Sequence, residues 1–404
     1  MHILLIHQAF VALDEPGGTR HYELACYLAE RGHQVTVIAS RVSYLTGRTE
    51  NIDSKIEQFK NGGGIEILRA YSYSALHRSF LHRLFSFFSF MFSSFFLGLK
   101  LKKLDLVWGT SPPIFQGITA LSLARLKRVP FLFEVRDLWP AFAVQVGVLR
   151  QPILIRASQW LERTLYRSAD QLVVNSPGFL SHVREHSGRN VELVPNGTDI
   201  EMFNPEVDGA GFRAAHNLQE KFVVLYAGAH GMSNDLGILL ESAKLLSQRI
   251  DIHFVLLGDG KEKPNLVALS RELDLKNTLF LPPSPKSQMA QTLAGANACV
   301  AILKPVPLYS TVYPNKVFDY MAAGKPVIIA IDGVIRSAVE DAGAGIYVQP
   351  GDPLALAQAV ESLADNPQQA RYKGNNGREY VVKHFNRADL ADKLNQVITR
   401  MVPE

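Results

Sequence analysis

The stretch YPNKVFDYMAAGKPVI, residues 313–328, reads as a helix delivered straight into a buried strand. Val317, Met321 and Ala322 recur at the spacing of one helical face. Pro314 precedes the expected helix, Lys316 to Ala323, and Gly324 follows it, which is the usual punctuation. PVIIAI then supplies the branched apolar run of a strand covered on both faces. The early part of the helix also carries a cation, Lys316, and a carboxylate, Asp319. An ordinary solvated turn explains them. So does a helix N-terminus that holds an anion, because its free N–H groups and partial positive charge favour one.

Working outward, the same rhythm fills the chain. HILLIH, QVTVIAS, LDLVWG, FLFEV and QLVVNS are short apolar runs in the first half, with helical patterns such as TRHYELACYLAERG and ITALSLARLK between them. FVVLYAG, IHFVLLG, LFLPP, ACVAIL, PVIIAI and GIYVQP repeat the pattern in the second half. Such alternation predicts parallel sheets with crossover helices. About eleven strands in 404 residues predict two doubly wound α/β domains. The break falls in VPNGTDIEMFNPEVDGAGF, residues 194–212, whose Pro, Gly, Asn and Asp punctuate.

The bulk properties narrow the class. The chain is 47% hydrophobic and 20% charged, an ordinary globular composition. Two cysteines, Cys26 and Cys299, exclude a disulfide framework and fit a reducing compartment. MHILLIHQAF lacks a basic leader and a long apolar run, so it reads as a first strand, and a cytoplasmic location is expected. The net charge of +4 is uneven: residues 1–200 hold 22 Lys+Arg against 16 Asp+Glu. No metal motif is visible, no metal or cofactor is expected, and His182 and His186 read as a wet helix face.

Doubly wound domains bind ligands beyond the carboxyl ends of their strands. After the first strand come Gly17 and Gly18, a turn opening a helix near Thr19; after FLFEV come Arg136 and Asp137, then Trp139 and Pro140. After FVVLYAG come Gly228, His230 and Gly231, read as opening a helix, and after IHFVLLG come Gly258, Gly260 and Lys261. Together with YPNKVFDYM, these turns point to phosphates held on backbone N–H groups and helix N-termini.

The order and spacing of GGTRHYELACYLAERGHQVTVIAS, FEVRDLWP, VELVPNGTDIEMF, LYAGAHG, LLGDG and YPNKVFDYMAAGKPVI resemble the retaining glycosyltransferases of family 4, over nearly the whole chain. The resemblance implies the GT-B fold: two Rossmann-like domains facing each other across a cleft. Residues 1–200 would bind the acceptor, 201–382 the nucleotide-sugar donor, and 383–404 would return to the first domain. It also implies a pair of family glutamates at Thr311 and Asp319. Asp319 keeps a carboxylate for the ribose hydroxyls, while Thr311 does not. The loop Thr311, Val312 and Tyr313 offers backbone N–H groups to sugar and phosphate. The family's Arg and Lys after the first strand of the donor domain are missing from AGAHGMSNDLG. Lys316 is the natural substitute, with Lys261 a second candidate. Arg136 stands where many relatives have His.

The implied reaction is metal-independent, retaining transfer of a hexose from a UDP-sugar, UDP-glucose or a UDP-N-acetylhexosamine. The acceptor would be a glycan or a polyprenyl-diphosphate-linked molecule in cell-surface polysaccharide synthesis, with no nucleic-acid partner. Arg136, Asp137 and Lys316 are the expected catalytic residues. A UDP-sugar epimerase of the same fold and a non-catalytic sugar-nucleotide binder are the rival readings. LFSFFSFMFSSFFLGL, residues 84–99, stands apart: sixteen residues with four Ser, flanked by His82, Arg83, Lys100, Lys102 and Lys103. It is too short and polar to span a bilayer comfortably. It reads either as a buried core helix or, over 82–103, as a peripheral contact with lipid.

Overall fold

The computed structural model describes residues 1–402 except Pro16, 44–46, Arg48, 50–53, 60–61 and 75–79, and not the side chains of Phe80 and Leu81. Pro16, beside the Gly17–Gly18 turn, and 403–404, the end of the expected returning segment, thus lie outside the described residues. The chain divides into two units: Met1–Ala12, Gly17–Pro195 and Ala388–Glu404 form one, and Leu13–Pro16 with Asn196–Arg387 the other.

The first unit is built on eight strands: β1 (His2–Ile6), β2 (Gln34–Ser40), β3 (Ser54–Gln58), β4 (Gly64–Ala70), β5 (Leu106–Ser111), β6 (Phe131–Val135), β7 (Gln171–Val174) and β8 (Val191–Leu193). Their order is β3-β4-β2-β1-β5-β6-β7-β8. The second carries β9 (Phe222–Ala227), β10 (Ile252–Leu257), β11 (Thr278–Leu281), β12 (Ala298–Ile302), β13 (Val327–Ala330) and β14 (Gly345–Tyr347). Their order, β11-β10-β9-β12-β13-β14, is the doubly wound pattern. Both units are Rossmann-like α/β domains.

Three strands, β3, β4 and β8, were not anticipated from the sequence. β3 (SKIEQ) is polar and mostly exposed, so no apolar run marks it. It pairs antiparallel with β4, the one departure from parallel pairing among the described strands. Such a polar edge strand discourages pairing with other chains.

The helix of the opening stretch is Asn315–Ala322, with Val317, Phe318, Tyr320, Met321 and Ala322 buried and Pro314 at its N-cap. The helix after β9 begins only at Leu236, so Gly228, His230 and Gly231 lie in a loop and do not open it. Asp235 takes the N-cap position without a side-chain cap bond, and Gly231, Ser233 and Asn234 before it are turn formers. Helix Arg387–Met401 packs Leu390, Ala391, Leu394, Val397 and Ile398 onto the core of the first unit, and Asn395 Oδ1 lies 2.8 Å from His33 Nε2.

The Phe-rich segment is a helix, Phe80–Lys100, long and apolar enough to cross a membrane by length and composition alone. It serves as the crossover from β4 to β5. Phe90, Ser94 and Gly98, spaced four apart, form its buried stripe, and a Cβ on Gly98 would collide with Leu123 of helix Phe115–Lys127. Phe85, Phe92 and Phe96 are 63%, 58% and 62% exposed, so the reading as a buried core helix does not hold. One helix face can contact one neighbouring layer, and seven Phe in sixteen residues overfill it.

Candidate active site

In the second sheet the strand order reverses between β9 and β12, and the loops leaving these strands border the crevice where open α/β sheets take ligands. The two loops are tied together. Lys304 N donates to Ser233 O at 3.0 Å, and the Tyr309 hydroxyl donates to Ser233 Oγ at 2.6 Å. Gly228 follows β9 with φ +148° and Gly258 follows β10 with φ +145°. A side chain there is strained and has no room: a Cβ on Gly258 would strike Gly228 O, and one on Gly228 would strike Lys316 Nζ.

Lys316 reaches from the first turn of its helix to this glycine pair. Its ammonium sits 4.0 Å from the centroid of the Tyr226 ring, a cation–π contact. It makes no ion pair among the described residues. Burial pushes its pKa down to about 7, because nothing anionic nearby offsets the lost hydration. His230 is buried beside it, and neither ring nitrogen has a hydrogen-bond partner among the described residues. Burial first, then the Lys263 charge, lowers His230 to about 4 against the pull of Asp259, so the ring is neutral at pH 7. It therefore presents one N–H donor and one acceptor. Asp319 Oδ2 accepts from Asn315 Nδ2 at 3.0 Å, and Asn315 Oδ1 accepts from the buried Arg387 Nη2 at 3.1 Å. This arrangement can neutralise a diphosphate with a cation, a neutral imidazole and helix N–H groups, and can accept hydroxyl donors on Asp319.

The first sheet reverses at β1, between β2 and β5, and a second polar cluster gathers there. Glu134 is buried within β6. Arg20 donates to its Oε1 through Nε at 3.0 Å and Nη2 at 2.9 Å, and His21 Nε2 lies 2.6 Å from its Oε2. Burial alone would raise Glu134, but His21 and Arg20 hold it well below the carboxylate range. Burial takes His21 down to about 4 despite Glu134, so His21 is neutral and donates Nε2–H. Arg136 follows β6; its Nε donates to Thr110 Oγ1 at 2.8 Å and its Nη2 to His7 Nε2 at 3.0 Å. His7 is thus neutral, with its proton on Nδ1, in line with a pKa pushed well down by burial and the neighbouring His21 and Arg136. Burial raises Asp137 to about 7 against the pull of Arg136.

Two family descriptions match successive parts of the chain: a glycosyl transferase 4-like domain over residues 17–197 and glycosyl transferases group 1 over residues 211–380. The chain belongs to the GT-B glycosyltransferases of family 4. A D-inositol 3-phosphate glycosyltransferase of Geodermatophilus obscurus is 28% identical over 235 residues, 55% of this chain and 50% of that one. The match spans about half the length of the first such curated relatives. The sucrose-phosphate synthase of Thermosynechococcus elongatus has a similar structure, with TM-score 0.78 at 23% identity, covering 99% of this chain and 98% of that one. Anabaena HepE, solved in complex with UDP and glucose, has TM-score 0.73 at 15% identity, covering 99% and 100%. At these identities the structural likeness establishes the GT-B fold.

In this family member, Gly228, His230, Gly258 and Lys316 come together, and Asp319 lies one turn along the same helix as Lys316. Gly231 belongs to the same loop, where its carbonyl accepts from Asn234 N at 3.1 Å. Lys261 stands exposed; Lys263 is the lysine that folds under the loop, donating to Gly258 O at 2.7 Å and Leu281 O at 3.0 Å. Thr311 ends a short 3-10 turn, its hydroxyl donating to Leu308 O at 2.7 Å. Val312 follows it, and Tyr313 O accepts from Asn196 Nδ2 at 2.7 Å. Gly17 and Gly18 are exposed ahead of helix Arg20–Glu30, with open space around Gly18. Arg136 and Asp137 adjoin the cluster of the first unit. His7, Arg20, His21, Glu134 and Asn315 escaped the sequence reading. One signal was available: a carboxylate inside FLFEV, a strand buried on both faces, must have partners.

Proposed function

We propose that the chain is a metal-independent, retaining hexosyltransferase that uses a UDP-sugar. The observation that carries this reading is Lys316: a half-buried ammonium facing an aromatic ring and two glycine turns, with no carboxylate to neutralise it among the described residues. A diphosphate supplies the missing charge. The Anabaena structure with UDP and glucose supports the nucleotide class. Lys316, neutral His230 and the N–H groups of the Asn315–Ala322 helix stabilise the diphosphate as it leaves, the largest kind of contribution such a site makes. Asp319 receives the ribose hydroxyls. The bond from the sugar's anomeric carbon to the phosphate oxygen breaks, and an acceptor hydroxyl oxygen bonds to that carbon on the same face. Its proton passes to a leaving phosphate oxygen, so no protein nucleophile is required. Arg136 and Asp137 bind the acceptor side.

In this reading the acceptor is a glycan or a polyprenyl-diphosphate-linked molecule of surface polysaccharide synthesis. The enzyme works in the cytoplasm at the membrane's inner face, with helix Phe80–Lys100 meeting lipid. The exposed phenylalanines support that contact. UDP-sugars incubated with the chain, with and without a lipid-linked acceptor and with EDTA, separate the outcomes. Acceptor-dependent, EDTA-resistant UDP release supports transfer; an isomerised sugar means an epimerase, and binding alone means a sensor. Calorimetry tests the carrying observation: Lys316→Ala weakens UDP at least tenfold and leaves uridine nearly unchanged. Equal losses for both ligands would make Lys316 structural.

A further inference from the structure

Helix Pro152–Ser168 and helix Leu180–Ser187 of the first unit bring together a third polar cluster that the proposed transfer does not use. His182 and His186, which the sequence offers only as a pair one turn apart, meet Glu162 from the other helix. Ligand atoms of the three all lie within 4.8 Å of one another. Glu162 is 2% exposed, and His182 Nε2 lies 2.8 Å from its Oε1. The two imidazoles stack, with centroids 4.0 Å apart at 19°.

We propose that Glu162, His182 and His186 form a binding site for a divalent cation of the zinc, cobalt or nickel class. Two imidazoles and one carboxylate are the donor set such borderline cations take, and a solvent molecule completes four ligands. The half-exposed faces of the two histidines leave room for that water.

Three details favour a cation over a plain ion pair. His186 Nδ1 donates to His182 O at 2.8 Å. A carbonyl only accepts, so Nδ1 carries the proton and the Nε2 lone pair stays free; a backbone carbonyl on the second ring nitrogen is how metal-bound histidines are oriented. Tyr166, fully buried, hydrogen-bonds Glu162 from behind, which orients the carboxylate in the same way. His182 Nε2 faces the carboxylate, so a cation seated between them takes that nitrogen's lone pair while the ring carries its proton on Nδ1. The donor atoms need to close to roughly 3.3 Å apart, the edge of a tetrahedron with ~2.0–2.1 Å bonds, which is a small rotamer adjustment. Bound, the cation clips the two helices together.

The test uses the untagged full chain, stripped with chelator. Zn²⁺ is titrated by calorimetry, and Co²⁺ is followed by its visible d–d absorption. The site predicts saturable 1:1 binding and a Co²⁺ band of imidazole–carboxylate type. It also predicts a Tm raised by about 3 °C or more at 100-fold excess over Kd. His186→Gln is the decisive variant: it leaves the Glu162–His182 pair intact, should fold as the parent does, and should weaken Zn²⁺ at least tenfold. Glu162→Gln should do the same if it folds. No saturable binding, or binding unchanged in His186→Gln, overturns the proposal and leaves Glu162–His182 as a structural ion pair.

Discussion

At Lys316 two demands oppose each other. Burial against Tyr226 disfavours its charge and sets its pKa near 7, while a bound diphosphate favours the charge and raises it. With the unbound pKa lower than the bound one, UDP binding takes up a proton in the window above about 7. Affinity therefore falls as pH rises from 7 to 9, by up to about tenfold per unit. Calorimetry in buffers of different ionisation enthalpy reads the uptake directly; Lys316→Met should flatten the dependence, and a flat wild-type profile counts against the assignment. Asp319, one turn on, is held by Asn315, which is held by Arg387. If it accepts two ribose hydroxyls, Asp319→Ala removes two charge-assisted hydrogen bonds of roughly 1.5–3 kcal/mol each. Uridine and UDP affinity should then both drop at least tenfold; unchanged affinity in a folded variant excludes Asp319 from the site.

At the scale of elements, helix Phe80–Lys100 has neighbours that share its character. Helices Phe115–Lys127 and Pro152–Ser168 form the same layer, since a Cβ on Gly98 would strike Leu123 and one on Gly117 would strike Leu165. Across these three helices the one acidic residue is Glu162, and it is buried. Arg83, Lys100, Arg125, Arg156, Arg163 and Arg167 are exposed on them, beside Phe85, Phe92, Phe96, Leu126 and Trp160. An apolar face without exposed acid suits an anionic lipid surface, where each cation adds about 1 kcal/mol. Wild type should co-sediment with anionic vesicles, less at high salt. Charge reversal at Lys100, Lys102 and Lys103 should release it with UDP affinity unchanged. Should wild type ignore anionic vesicles at low salt, the lipid contact is wrong.

At the scale of the molecule, the first unit takes its core from both ends of the chain. Leu394 is fully buried against residues of β1, β2 and β5, far earlier in sequence. Leu394→Ala should cost about 2–5 kcal/mol through lost burial and a cavity. Hydrogen exchange should show that loss in the first unit's strands and little of it in β9 and β10. Equal loosening of both units would mean that they unfold as one.

Local pattern determined much of this protein. The apolar runs of β1, β2, β5, β6 and β7, and of all six strands of the second unit, were legible because most of these strands are buried on both faces and so read as near-continuous apolar runs. So was the helix that carries Lys316 and Asp319, since capping and periodicity are local. What depends on residues far apart in sequence was not legible. β3 exists through its pairing with β4. The Phe-rich helix shows its exposed side only once Leu123 covers one stripe of it. Glu134 becomes a hub only when strand order brings Arg20 and His21 to it, and Glu162 meets His182 only through the packing of two helices. Charge and periodicity are written along the chain, whereas the partners that neutralise a buried charge are assigned by topology.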